Sequence, residues 1–316
     1  MMPIGGYFSL ELPLYEEFHN DALRLNTGRN CLEYILRARK YSKVYIPYYT
    51  CGVILEPFHK LNIPYEYYRI NIHLELASDI QLKEDEALIY TNYFGLKQCY
   101  TEKLAQQYGS NLIVDNTQAF YSKPIPGIDT FYTCRKFFGV PDGAYLYTDQ
   151  KLDIELTQDQ SYERMFSLTK RIDISPEAGY QDFRLVSEAL IGQPIKKMSK
   201  LTNRMMQGID YDAVAHRRRT NYEILQNALA CENNLALTLE KDAVPMAYPF
   251  FVPVHGLREE LIENKIFVAR YWPNVFGWCD KSDWEYELAE SIVCLPIDQR
   301  YGEEEMNRII RIIKNE

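Results

Sequence analysis

The chain has 316 residues, room for one large α/β domain with a smaller companion, and enough to bury a core without disulfide or metal staples. Its formal charge is −9, with 47% apolar and 25% charged residues, a balance unlike that of a disordered chain and unsuited to nucleic acid or anionic lipid. No apolar run reaches the roughly 20 residues of a membrane helix, and Met1-Met2-Pro3-Ile4-Gly5-Gly6 lacks the cationic start and apolar stretch of a signal peptide, so a cytoplasmic chain without membrane contacts is expected.

From residue 26 to 150, β-branched and aromatic runs alternate with helix-period segments. Val44 to Tyr49, Ala87 to Tyr93, Asn111 to Val114, Ile128 to Tyr132 and Ala144 to Thr148 are predicted strands. Between them, Arg29 to Arg39 places Leu32, Ile35 and Leu36 on one helical face, and Tyr100 to Tyr108 is a short helix ended by Gly109. Strand, helix, strand in this order implies right-handed crossovers, a mostly parallel sheet with helices on both faces, and ligands at the carboxyl ends of the strands.

Residues 151 to 209 contain Pro176, Gly179, Gly192 and Pro194, read as breakers among connecting helices and loops. Asp210 to Ala230 is a predicted long helix whose Arg217-Arg218-Arg219 run reads as a solvated face rather than a phosphate site. Strand-like Pro249 to Val254, helix-like Leu257 to Glu263, strand-like Ile266 to Ala269 and Ser291 to Ile297, and a final helix carrying Met306, Ile309, Ile310 and Ile313 spell an α+β unit. The expected division is therefore a large α/β domain over 1–209 and a smaller α+β domain over 210–316.

Phosphate-loop, dinucleotide and zinc signatures are absent. The seven cysteines never form C-x-x-C and the five histidines are isolated, which points to reduced thiols and to no metal site. What remains is a set of polar residues at strand ends. The strand ending at Val114 runs into Asp115-Asn116-Thr117-Gln118, and the strand ending at Tyr132 runs into Thr133-Cys134-Arg135-Lys136, with Asp142-Gly143 beyond. One strand-crossover-strand unit separates the acid from the amine, a spacing that puts both at neighbouring strand ends around one cleft. Thr27-Gly28-Arg29-Asn30 precedes the first helix, where free N–H groups and the helix dipole suit a phosphate. Taken singly, Lys136 is also a lysine closing a strand, Asp115 a turn cap and Arg29 an exposed first residue of a helix. Together, an amine, an acid and a phosphate cradle match the needs of pyridoxal 5'-phosphate.

These residues resemble the DegT-like sugar aminotransferases, enzymes of the fold-type I pyridoxal phosphate class. Thr27-Gly28-Arg29-Asn30-Cys31-Leu32 resembles that family's phosphate turn, and Ile46-Pro47-Tyr48-Tyr49-Thr50-Cys51 its Pro-bearing strand. Asn92-Tyr93-Phe94-Gly95 is similar to its aromatic-Gly segment, Asp115-Asn116-Thr117-Gln118 to its Asp-x-x-Gln or His motif, and Lys136 with Asp142-Gly143 to its Schiff-base lysine and following turn. Gly179-Tyr180-Gln181-Asp182-Phe183-Arg184 resembles a loop that crosses to the partner subunit's phosphate, and Cys294-Leu295-Pro296-Ile297 the C-terminal signature. The matches occur in the family's order. The resemblance implies a homodimer in which Lys136 is catalytic, Asp115 holds the pyridine nitrogen and Gln118 stands near the ring hydroxyl. Thr27, Gly28, Arg29, Asn30 and Thr133 would take the phosphate, and Cys51 or Tyr49 the ring face. Arg135 is a candidate for lowering the pKa of Lys136. The implied reaction is amino transfer from an amino acid to a nucleotide-linked keto sugar, in polysaccharide or antibiotic sugar synthesis. The alternatives are pyridoxal phosphate-dependent dehydration, or a catalytically silent scaffold that binds a sugar or a protein.

Overall fold

The computed structural model describes residues 4–235, 237–253 and 256–315. Val254, at the end of one expected strand, and His255 lie outside them, as do Met1 to Pro3. Seven strands form one sheet: β1 (Leu23–Leu25), β2 (Lys43–Pro47), β3 (Tyr65–Tyr68), β4 (Glu86–Thr91), β5 (Leu112–Asp115), β6 (Asp129–Thr133) and β7 (Ala144–Tyr147), in the order β1-β7-β6-β5-β4-β2-β3. The run from β3 through β6 is parallel, and β7 opposes both its neighbours. Five of these strands fall where the periodicity predicts them. The other two, β1 and β3, are the edge strands of the sheet and are not among those predicted.

Alternation along each strand sorts side chains onto the two faces. Ala87 and Ile89 of β4 join Val44, Ile46, Ile113 and Phe131 against Leu32, Ile35 and Leu36 of α1 (Gly28–Arg39) and Phe58 of α2 (Leu55–Leu61). Leu88 and Tyr90 face the other way, joining Leu112, Val114, Leu104 of α3 (Gln98–Tyr108) and Leu225 of α7 (Tyr211–Leu229). Arg39, in the last turn of α1, is bidentate to Asp129 at 2.8 and 3.0 Å and ties the helix to the start of β6. Such forked pairing is among the stronger side-chain contacts.

The segment from 151 to 209 is more regular than its prolines and glycines suggest. It holds α4 (Phe166–Asp173), α5 (Pro176–Ala189) and α6 (Lys200–Met206). Pro176 does not break α5 but begins it, behind Ser175, whose hydroxyl accepts from the Ala178 N–H; proline suits a first helical position because its missing N–H has no partner there anyway. Gly179 lets α5 approach α4, since a Cβ there would meet the Ser167 carbonyl at 2.7 Å. The Gly179 to Arg184 stretch, expected as a loop, is thus part of a helix.

In the C-terminal part, β8 (Tyr248–Phe251) and β9 (Ile292–Leu295) pair antiparallel beside α8 (Leu257–Glu263), α9 (Trp284–Ser291) and α10 (Glu303–Lys314). Ile266 to Ala269 is not a strand: Ile266 and Val268 are buried and Phe267 is exposed, so the alternation is present without a strand partner. Arg218 also departs from the solvated-face reading. It is 1% exposed and donates to the carbonyls of Pro245, Met246 and Phe137, which its long side chain satisfies at once. Among the described residues no helix is long and apolar enough to cross a membrane.

Gly143, just before β7, has φ +103°, and a Cβ there would stand 2.7 Å from Thr202 Cγ2 and 3.1 Å from Cys134 Sγ. Gly143→Ala is expected to lower stability by about 1–3 kcal/mol through backbone strain and overpacking. Urea unfolding measures this, and a wild-type midpoint with an unchanged slope contradicts it.

Candidate active site

The carboxyl ends of β5 and β6 and the N-terminus of α1 converge on a cavity of about 260 Å³. Asp115 is the last residue of β5, paired in register with Phe131 of β6. Its Oδ1 accepts the Thr117 N–H at 2.8 Å, a turn in which the side chain caps its own backbone. Lys136 lies just past β6, in a turn closed by Phe137 and Phe138 N–H groups donating to the Cys134 carbonyl at 3.1 and 3.0 Å. Its Nζ donates to Thr117 Oγ1 at 2.9 Å. The amine and the acid therefore meet through one threonine on the wall of a shared cavity.

Opposite them, Thr27 caps α1, its Oγ1 accepting the Asn30 N–H at 3.2 Å. The N–H groups of Gly28 and Arg29 in this first turn have no intrahelical acceptor. A Cβ at Gly28 would stand 3.4 Å from Thr117 and 3.9 Å from Thr133, so glycine keeps the space between the helix terminus and the strand ends open.

Burial sets the electrostatics. It holds the Lys136 amine below the usual lysine range, with Asp115 and Cys51 pulling the other way, and it pushes the Asp115 carboxyl up, opposed chiefly by Lys136 and Thr117. Arg135 is not among the groups that depress Lys136; its side chain turns instead to Ser187 and Phe183 of α5.

Of the residues singled out in sequence, Thr27, Gly28, Arg29, Cys51, Asp115, Thr133, Arg135 and Lys136 line the cavity. Asn30, Tyr49 and Gln118 do not. Asn30 accepts from Thr27 Oγ1 and donates to the Gln193 carbonyl, fastening α1 to the segment after α5. Tyr49 packs on Tyr93 and Trp272, where its buried hydroxyl has no partner among the described residues; the chain bends at residues 48–50 and strand alternation ends there. Gln118 accepts the Phe94 N–H at 2.9 Å and braces a turn in which Phe94 and Gly95 both have positive φ. Sequence reasoning missed Thr117, although it stands one alternation step from Asp115. It also missed Phe183 and Leu190 of the cavity wall, which only the course of α5 brings there.

Because the cation of Lys136 helps hold the Asp115 carboxyl down, Lys136→Met is expected to move the Asp115 titration to higher pH. Carboxyl carbon NMR against pH reads this directly, and an unmoved or downward-shifted titration contradicts the coupling.

No family model and no curated protein matches the sequence. Solved structures do match it. A DegT DnrJ EryC1 StrS aminotransferase from Brucella abortus superposes with a TM-score of 0.60 at 13% identity, over 93% of this chain and 85% of that one. NtdA from Bacillus subtilis with bound cofactor PMP gives 0.63 at 12% identity, over 93% and 72%. DesI in the presence of its TDP-sugar product gives 0.62 at 14% identity, over 93% and 80%. The chain accordingly has the fold of the DegT/DnrJ/EryC1/StrS aminotransferases and of solved sugar aminotransferases.

Proposed function

We propose that this chain is a pyridoxal phosphate-dependent aminotransferase acting on a nucleotide-linked keto sugar with an amino acid as donor. The observation that carries the reading is Lys136, held below its ordinary pKa and linked through Thr117 to Asp115 at the carboxyl end of a parallel sheet. The donor set fits the cofactor: a nucleophilic amine, a buried carboxylate on the same cavity, and a helix terminus kept open by Gly28 with Thr27 and Thr133 beside it. Bound at this place, pyridoxal phosphate would supply an aldehyde to carry the amino group and a protonated ring to disperse electrons from the neighbouring carbon.

The chain's own groups divide the rest of the work. Asp115 presents negative charge that favours a protonated ring nitrogen. Lys136 Nζ, uncharged more readily than an exposed lysine, takes the proton from the donor's α-carbon and later returns a proton to the acceptor carbon. Thr117 Oγ1 accepts from Nζ and fixes its direction. Thr27, Gly28, Arg29 and Thr133 line the end of the cavity suited to phosphate. The sugar nucleotide is supported by DesI, solved with its TDP-sugar product. A homodimer is supported by the resemblance and by exposed Phe166, Ile172, Ile174 and Tyr180 on α4, α5 and their junction, with 1–209 as the cofactor-binding unit and 210–316 the smaller one.

One observation favours the silent-scaffold alternative: Cys51, and not the ring of Tyr49, lines the cavity, which removes one source of ring stacking. A spectrum separates the two. The purified protein with added pyridoxal phosphate is expected to absorb near about 420 nm and, after borohydride reduction, to carry the cofactor covalently. Lys136→Ala should abolish the covalent adduct in a folded protein, and an adduct of wild-type yield in that variant rejects the assignment.

A further inference from the structure

The cations lining the cavity are Arg29, Arg135 and Lys136. Arg29 is paired with Glu56 at 2.6 Å, and Lys136 has Asp115 near it. Among the described residues Arg135 has no ion-pair partner: its guanidinium donates to Ser187 Oγ at 3.1 Å and lies 5.3 Å from the ring centroid of Phe183. Asp142, the other acid on the cavity wall, is bound to Arg164 and to the Thr202 hydroxyl. A guanidinium has five donors, so most of those on Arg135 remain available at the cavity.

The neighbours of Arg135 indicate which anion it takes. Two residues earlier, Thr133 lines the same cavity, and the Gly28 start of α1 adjoins Thr133. A forked cation, a hydroxyl and free helical N–H groups supply donors around a tetrahedral dianion. We propose that Arg135 binds the phosphate of pyridoxal phosphate, held in position by Ser187 and Phe183 of the same chain's α5. This rests on the functional reading above and adds to it a phosphate ligand that the resemblance does not assign. It also changes the role of residues 179–184, which the resemblance sends to a partner subunit. Here the helix that contains them is fastened over its own cavity, by the Arg135 to Ser187 contact and by Gly192 N–H donating to Glu56 at 2.8 Å.

The test compares pyridoxal phosphate with pyridoxal, which lacks the phosphate, on wild type, Arg135→Gln and Arg135→Lys. The band near about 420 nm is followed as each aldehyde is titrated. Arg135→Gln should weaken pyridoxal phosphate on the order of 10-fold or more and leave pyridoxal unchanged, with Arg135→Lys between it and wild type. Equal weakening of both aldehydes, or an unchanged affinity for pyridoxal phosphate, overturns the proposal. Inorganic phosphate gives a readout independent of Lys136: it should raise the melting temperature of wild type and not that of Arg135→Gln. If wild type forms no band with either aldehyde, the aminotransferase reading fails, and the phosphate shift then decides Arg135 alone. An equal shift in both proteins, or no shift in wild type, overturns it.

Discussion

The organisation of this protein depends on keeping an amine and a carboxylate together in a cavity that favours the ionised form of neither. Burial pushes the pKa values of Lys136 and Asp115 toward each other, and their mutual attraction partly opposes it. Without its partner, either group would neutralise more readily or remain as an unpaired buried charge that costs stability. Their meeting follows from the parallel pairing of β5 with β6, which sets Asp115 beside Phe131 and brings the turn after Thr133 to the same sheet edge. A slip of one residue in that register would turn Asp115 to the opposite face.

Much of the surrounding structure steadies the turn that carries Lys136. Arg218 and Gln299 both donate to the Phe137 carbonyl, next to Lys136 in the chain. The Gly143 carbonyl accepts the Cys134 N–H at 3.0 Å, and the Gly143 N–H donates to the Asn26 carbonyl at 2.8 Å, so β7 and the residues before α1 share one support. Thr117, Gly143 and Arg218 come from three separate segments: Thr117 holds the amine itself, and the other two hold the backbone on either side of the turn. The cavity also acquires a wall from Phe183 of α5 and from Leu190 just past its end.

The parallel sheet was legible because its strands are short apolar runs separated by helices with a clear stripe, as at Leu32, Ile35 and Leu36. Asp115 and Lys136 were legible because each follows such a run directly, where a parallel sheet presents its ligands. Gln118 and Tyr49 show where this reasoning stops: both lie in the right segments, but a bend past β2 and the turn at Phe94 direct their side chains into packing. Arg218 read as solvent-facing because its neighbours Arg217 and Arg219 share its charge, and nothing local reveals three carbonyls from distant segments waiting for it.

By itself, then, the order of residues determined which segments become strands and helices and which polar groups stand at the strand ends, since those depend on periodicity and on neighbours in the chain. The tertiary structure alone decided which of those groups share a cavity, that Thr117 joins Lys136 to Asp115, and that Phe183 of α5 lines the same cavity. Those outcomes depend on contacts between residues far apart in sequence: Arg135 and Ser187 meet across 52 positions, and Arg218 reaches Phe137 across 81. Local propensity carries no record of such contacts, because they are fixed only when whole elements pack.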